Sequence, residues 1–271
     1  MGRNANLVIG AVLVGLVVVT ALVSFVWTPH DPLLVDASVR LLGPTADHVL
    51  GTDKLGRDVA SQLMVGARTT LYVGVVAVGL AAVVGTPLGI FAGMGPRWLG
   101  ELTMRVNDLV LAFPALLLAI MLGAVYGAST LTAMIAIGIA TVPSFARIAR
   151  AGTLQVLSRE YVLAARAGGR SSGWIALRHV LPNISGMVVV QASVSFAIAV
   201  LAEAALSFLG FGTAPPTPSW GRMLQESQEL LAVDARLALV PGAAIAIAVL
   251  GFNLLGDGLR DRFDPRLEVR R

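Results

Sequence analysis

Residues able to do covalent or acid–base chemistry are few in this chain, and their spacing points away from an active centre. Its 271 residues hold no cysteine, three histidines and one lysine, Lys54. The lack of cysteine removes thiolate metal sites, Cys nucleophiles and disulfide staples together. A phosphate-cradling loop needs Gly-x-x-x-x-Gly-Lys-Ser/Thr. Lys54 instead follows Asp53 and precedes Leu55, with His48 where the first glycine belongs. Any ATP hydrolysis linked to this chain must therefore reside on another one. His30, His48 and His179 are too dispersed for a ligand motif and no His-Glu-x-x-His occurs, so no metal ligand and no catalytic residue is assigned. Asp53 and Asp58 lie in Gly-Thr-Asp and Gly-Arg-Asp, which read as turn chemistry with ion pairs to Lys54 or Arg57.

The elements that must position these residues belong to a membrane. Hydrophobic residues make up 56% and charged residues 13%, against about 25% charged in an average soluble domain. Uncharged runs extend from Asn4 to His30, Thr69 to Pro96, Leu109 to Ala146, Val180 to Ala202 and Leu237 to Gly256. Each reaches or exceeds the roughly 20 residues that span a bilayer core. The 38-residue run from Leu109 would be about 57 Å long as one helix, so it must fold back, with Tyr126-Gly127-Ala128-Ser129 as the turn. An all-α, polytopic membrane protein with six transmembrane helices follows. Leu7 to Trp27 is longer than a signal-peptide core of about 7–15 residues and reads as a retained span.

Positive charge sets the orientation, because cytoplasmic loops hold the excess of Lys and Arg. With six spans and the N-terminus inside, 14 basic residues fall inside and six outside, so both termini are expected in the cytoplasm. The basic balance is then a topology signal and not a nucleic-acid footprint. Trp27, Trp98, Trp174 and Trp220 fall near span ends and read as interface anchors. Gly85, Gly89 and Gly93 form a small-xxx-small packing row, and Pro87 and Pro114 are candidate kinks. Glu203 stands about twenty residues into the fifth span, roughly 30 Å along it, and reads as a hydrogen-bonding group at an outer gate. Gln191, Ser193 and Ser195 read equally well as polar glue between helices.

One inside loop, Arg147 to Asn183, is much longer than a connection requires. It holds six arginines, His179 and a single acid, Glu160. Leu154, Leu157, Tyr161, Ala164, Ala165 and Gly168 recur at helical spacing. An amphipathic helix lying on anionic lipid is one reading. The small, smooth run Ala164-Ala165-Arg166-Ala167-Gly168-Gly169 favours the other, a docking helix that enters a protein groove. Gly168-Gly169 would stop that helix with a positive φ, and Leu181-Pro182 would begin the return to the membrane.

These residues resemble the loop of the permease subunits of bacterial ABC importers, which carries a Glu-Ala-Ala triplet, a glycine and a later Leu-Pro. Here Ala164, Ala165, Gly169, Leu181 and Pro182 match, while Leu163 stands where the triplet has Glu, with Glu160 three residues earlier. His48 to Asp58, Leu206 to Gly212 with Pro215 to Gly221, and Gly256 to Asp261 with Asp264 to Arg266 are similar to the second permease subunit of the peptide and nickel group. The resemblance implies a type I permease fold and a non-catalytic role in importing di- or oligopeptides or a related solute. It implies coupling to the ATPase through Glu160, Tyr161, Ala164, Ala165, Ala167, Gly169, Leu181 and Pro182, with ATP and Mg held by two cytoplasmic ATP-binding subunits. A second homologous permease and an extracytoplasmic solute-binding protein complete the expected assembly in the bacterial cytoplasmic membrane. The expected division is 1–67 for the first helix and outer segment, 68–257 for the core permease, with the coupling loop at 147–183, and 258–271 for the tail. An ion-gradient-driven carrier is the rival reading, disfavoured by the scarcity of intramembrane charge and of visible repeats.

Overall fold

Residues 3–263 are described by the structure, a computed structural model, so the tail motif Asp264 to Arg266 lies outside the described residues. Among the described residues every regular element is helical, apart from one isolated bridge between Thr52 and Asp58. Long apolar runs make this outcome obligatory, since hydrocarbon offers the backbone no hydrogen-bond partners and helices satisfy their own. The chain opens with α1 (Arg3–Ser24), then a segment with little regular structure, then α2 (Val59–Met94). Asp58 caps α2 by accepting from the Ser61 amide at 2.7 Å. The helix therefore starts ten residues before the uncharged run that opens at Thr69. At about 54 Å it outreaches a hydrocarbon core of about 30 Å.

Beyond α2 come α3 (Arg97–Ala112) and α4 (Ala115–Tyr126), bent by 79° at Phe113–Pro114. The expected kink at Pro114 is present, but the third span opens with α3 at Arg97 and not at Leu109. Pro114 has no amide hydrogen and drives Phe113 to an extended conformation, with φ −85° and ψ 122°. The 12-residue α4 is only about 18 Å long, so the pair crosses together. Pro87, the other candidate kink, sits within an unbroken α2. The turn at Tyr126–Ser129 is present: Gly127 has φ +91°, and Ser129 caps α5 (Thr130–Leu157). After α5 follow α6 (Glu160–Ala167), α7 (Ser172–Ile175), a π turn over Ala176–Val180, α8 (Leu181–Phe208), α9 (Trp220–Ser227) and α10 (Arg236–Phe263).

Glycine contacts establish the number of crossings. A Cβ on Gly85 would meet Val142 and Phe145, one on Gly89 Ala146 and Ala149, and one on Gly93 Thr153. Residue numbers rise together, so α2 and α5 run parallel, and the predicted small-residue row is their seam. The chain between them must recross. It does so through α3 and α4, from Gly100 against Ala92 to Gly123 near Phe211. In contrast α1 and α10 are antiparallel, with Leu7 beside Gly258, Gly10 beside Leu255 and Leu13 beside Gly251. Residues 7 and 258 thus lie at the same end of the bundle, which an even number of crossings requires. Five long helices and one bent pair make six.

The core has three parts. One joins α2, α4, α5 and α8 around Phe145 and Met134, and a second joins α1, α2, α8, α9 and α10 around Trp220. The third, around Val162, Ile175 and Ile184, holds α6 against α5 and α8. Trp220 is a core residue and not an interface anchor: it is 3% exposed, and its indole Nε1 donates to the Leu63 carbonyl at 2.9 Å.

Candidate docking site and the loop cluster at the opposite end

The long loop is not one helix. α5 continues through Leu157, the chain breaks at Ser158–Arg159, and α6 begins at Glu160. Arg159 is extended, and Glu160 in the first turn and Arg166 in the last suit the helix dipole. One side chain anchors α6: Val162, fully buried against Val156, Ile175, Val180 and Ile184. Ala165 is half-buried, while Glu160, Tyr161, Leu163, Ala164, Arg166 and Ala167 are exposed. The helix therefore presents the small side chains of Ala164 and Ala167 between Tyr161, Arg166 and Leu163, the last exposed where the related motif has a carboxylate.

Its end is built as expected. The Arg170 amide donates to the Ala165 carbonyl at 3.1 Å and the Gly169 amide to the Arg166 carbonyl at 3.0 Å. These two bonds form a Schellman cap, which needs a left-handed residue, and Gly169 has φ +75°. The same device ends α8, with Gly210 at φ +85° and the Phe211 amide on the Leu206 carbonyl at 2.8 Å. The return segment is braced by rings. Tyr161 lies 5.4 Å from His179, Trp174 meets His179 edge-on at 5.0 Å, and the Arg170 guanidinium sits 4.9 Å over Trp174.

Glu160 to Gly169 are thus brought together on α6 and its cap, while Leu181 and Pro182 belong to the next helix. The return does not begin at Leu181-Pro182. It begins at Ser171, which caps α7, and a continuous apolar helix runs from Ser172 to Phe208. The π turn, with the Leu181 amide on the Ala176 carbonyl, absorbs Pro182 inside that helix. An apolar cavity of about 670 Å³, lined by Thr86, Pro87, Phe91, Gly173, Leu177 and Leu181, separates this segment from α2.

At the other end of the bundle the Gly-Thr-Asp-Lys-Leu-Gly-Arg-Asp stretch forms the expected turn and ion pairs. Asp53 Oδ2 accepts from Arg57 Nε at 2.7 Å and from Gln62 Nε2 at 3.0 Å. Arg57 also pairs with Glu226 on α9, which Arg222 approaches at 2.9 Å. Burial opposes the charge on Arg57, but Asp53 and Glu226 outweigh it and hold the guanidinium above its ordinary range. Spacing in the sequence offered no sign of Glu226, beyond its place four residues after Arg222 on one helix.

Two histidines depart from expectation. His30 and His48, read as too dispersed to share a site, stack at 4.4 Å beside Asp58. Burial would raise the Asp58 carboxyl, yet hydrogen bonds from Ser61 and His48 hold it below the usual range. His179 remains apart, at the α6 end. Glu203 is 1% exposed, accepting from Ser207 Oγ at 2.7 Å and Thr213 Oγ1 at 3.3 Å. It ties the end of α8 to the segment before α9 and does not line the apolar cavity beside Leu181.

Compared with solved structures, the chain matches a subunit of the MetNI methionine ABC transporter in an inward-facing conformation. The TM-score is 0.63 at 17% identity, covering 75% of this chain and 96% of that one. Six crossings and the short exposed helix α6 fit a membrane-embedded permease of an ATP-driven importer, the class that the family and its relatives define. The chain belongs to the family of binding-protein-dependent transport system inner membrane components, whose model matches residues 85–269. It is 40% identical to the dipeptide transport system permease protein DppC of Alkalihalophilus pseudofirmus over 266 residues, 98% of this chain and 88% of that protein. It is 40% identical to the glutathione transport system permease protein GsiD of Pectobacterium atrosepticum over 226 residues, 83% and 75% of the two chains. The gradient-driven carrier reading is thereby displaced.

Proposed function

We propose that this chain is the non-catalytic second permease subunit of an importer for di- or oligopeptides or a related small solute. In this reading it pairs with a homologous permease, two cytoplasmic ATP-binding subunits hold ATP and Mg, and an extracytoplasmic binding protein delivers the solute. Residues 68–257 form the working unit, residues 1–67 add a helix and an outer segment, 258–271 form a tail, and both termini face the cytoplasm. Arginine placement supports that orientation, because the α6 end of the bundle carries the basic excess.

The observation that carries the proposal is α6 itself: an eight-residue helix held by one buried valine and closed by Gly169, with Tyr161, Leu163, Ala164 and Ala167 exposed on its outer face. Glu160, Tyr161, Ala164, Ala165, Ala167 and Gly169 would seat in a groove of the ATPase. Closure of the ATPase pair would then push on Val162 and on the helix bearing Leu181 and Pro182. The cavity beside Leu181 leaves room for that helix to shift against α2. Glu203, clasped by Ser207 and Thr213, would steady the outer gate, and Glu203→Gln with unchanged uptake would remove its charge from the mechanism.

Gentle solubilisation, pull-down of this chain and mass spectrometry of bound proteins test the proposal. A second permease-like chain and ATPases with a Walker A loop are expected. Recovery of this chain alone, with and without crosslinking, would move the lipid-surface reading of α6 ahead.

A further inference from the structure

The loop cluster at the α9 end gathers two imidazoles and a carboxylate from three separate parts of the chain. His30 follows α1, His48 lies in the intervening loop and Asp58 caps α2. Their ligand atoms nevertheless all fall within 4.8 Å of one another. His48 Nδ1 is 3.0 Å and His30 Nδ1 3.8 Å from Asp58 Oδ1. Zinc binds imidazole nitrogen and carboxylate oxygen at about 2.0–2.2 Å, which places tetrahedral ligand atoms roughly 3.3–3.6 Å apart. The observed separations bracket that spacing, so a small adjustment of His30 closes the site.

Two further features mark the cluster as built for a ligand. His30 Nδ1 is buried and has no hydrogen-bond partner among the described residues, an omission that ordinarily costs stability. Its distance from Asp58 is too long for a hydrogen bond. The surrounding groups also fix the ligands. Ser61 donates from its amide and its hydroxyl to Asp58 Oδ2, both at 2.7 Å, which leaves Oδ1 for the histidines. The same hydroxyl accepts from the His30 amide at 2.9 Å, and Thr45 Oγ1 accepts from the His48 amide at 2.9 Å. Outer-shell bonds of this kind orient metal ligands.

We propose that His30, His48 and Asp58 bind a divalent transition-metal ion of the zinc class. Two imidazoles and one carboxylate suit zinc and its neighbours and not calcium or magnesium, which take oxygen ligands. Three protein donors leave a fourth position, and the His30 side chain, 37% exposed, provides the way in. A bound ion would pin the segment after α1 to the head of α2. Because binding is read on this chain alone, the inference stands or falls separately from the assembly proposed above.

The test uses the full chain, purified with a tag free of histidine. After dialysis against zinc, one equivalent should remain. Cobalt should give the visible absorption of a tetrahedral site, and zinc should abolish it. His30→Ala, at a position where the Ser61 contact is made by the backbone, should weaken zinc by more than the roughly tenfold that loss of an outer-shell partner costs. Asp58→Asn keeps a capping side chain and should do the same with helix content unchanged, whereas His179→Ala should bind as the parent does. No stoichiometric zinc, or equal affinity in the parent and His30→Ala, would overturn the site.

Discussion

Arg57, in the loop that precedes α2, is ion-paired with Glu226 on α9, 169 residues farther along the chain. Both side chains are largely shielded, 11% and 21% exposed, so the pair holds the two segments together more firmly than a surface salt bridge would. Glu226→Gln should lower the stability of the purified chain by about 1.5–3 kcal/mol, the range for a hydrogen bond to a charged group. Asp53→Asn should cost more, because the amide nitrogen that replaces Oδ2 would face two donors, Arg57 Nε at 2.7 Å and Gln62 Nε2 at 3.0 Å. Thermal melts of the two variants side by side check the order; a larger loss for Glu226→Gln would contradict it.

At Gly169 a Cβ would meet no atom within 4 Å, so the demand for glycine there comes from the backbone alone, at φ +75°. A left-handed L-residue costs about 1–2 kcal/mol, and a β-branched one is a true outlier. Gly169→Val should uncouple transport from ATP hydrolysis, whereas Gly169→Asn should retain most activity. Uptake and stimulated ATPase in reconstituted complexes distinguish them, and coupling preserved in the valine variant would show that the cap does not set the position of α6.

Ala164 lies on the exposed face of α6 and Ala165 is half-covered by the protein itself. Ala164→Trp should therefore leave insertion and thermal stability intact while abolishing uptake, because an indole cannot enter a close-fitting groove. Ala165→Trp should abolish uptake and also lower stability. Normal transport by Ala164→Trp would refute docking through this face.

Gly89 and Gly79 lie on the same helix in opposite settings. A Cβ on Gly89 would sit 2.3 Å from the Ala146 carbonyl oxygen, whereas one on Gly79 would meet nothing within 4 Å. Gly89→Leu should prevent α2 and α5 from packing and should show as rapid proteolysis in the membrane. Gly79→Leu should be tolerated, since replacing an exposed helix glycine is worth up to about 1 kcal/mol. Equal protease resistance in the two variants would exclude the seam.

The spans were legible because lipid imposes a length: a run of about 20 uncharged residues has few other uses. The glycine stop of α6 and the packing row on α2 were legible for a similar reason, since positive φ and close helix approach each select a small set of residues. The bend between α3 and α4 was only half visible. Pro114 marks the break, but its 79° angle depends on α4 lying along α5, a contact that no local pattern encodes. Trp220 looked like an interface anchor because aromatic residues near span ends usually are. Its burial depends on Gly66, distant in sequence, whose missing side chain leaves room for the indole.

By itself the sequence determined that this is a six-crossing helical membrane protein with its basic loops at one end and without the Gly-x-x-x-x-Gly-Lys-Ser/Thr pattern. Those properties depend on composition, charge placement and helix-stopping residues, all local or additive along the chain. Only the tertiary structure decided that α6 is a separate helix held by Val162, and that Arg57 meets Glu226. Only it brought His30 and His48, 18 residues apart, onto the carboxylate of Asp58. Such convergences arise from how helices pack and turns redirect the loops, so the spacing of residues along the chain holds no trace of them.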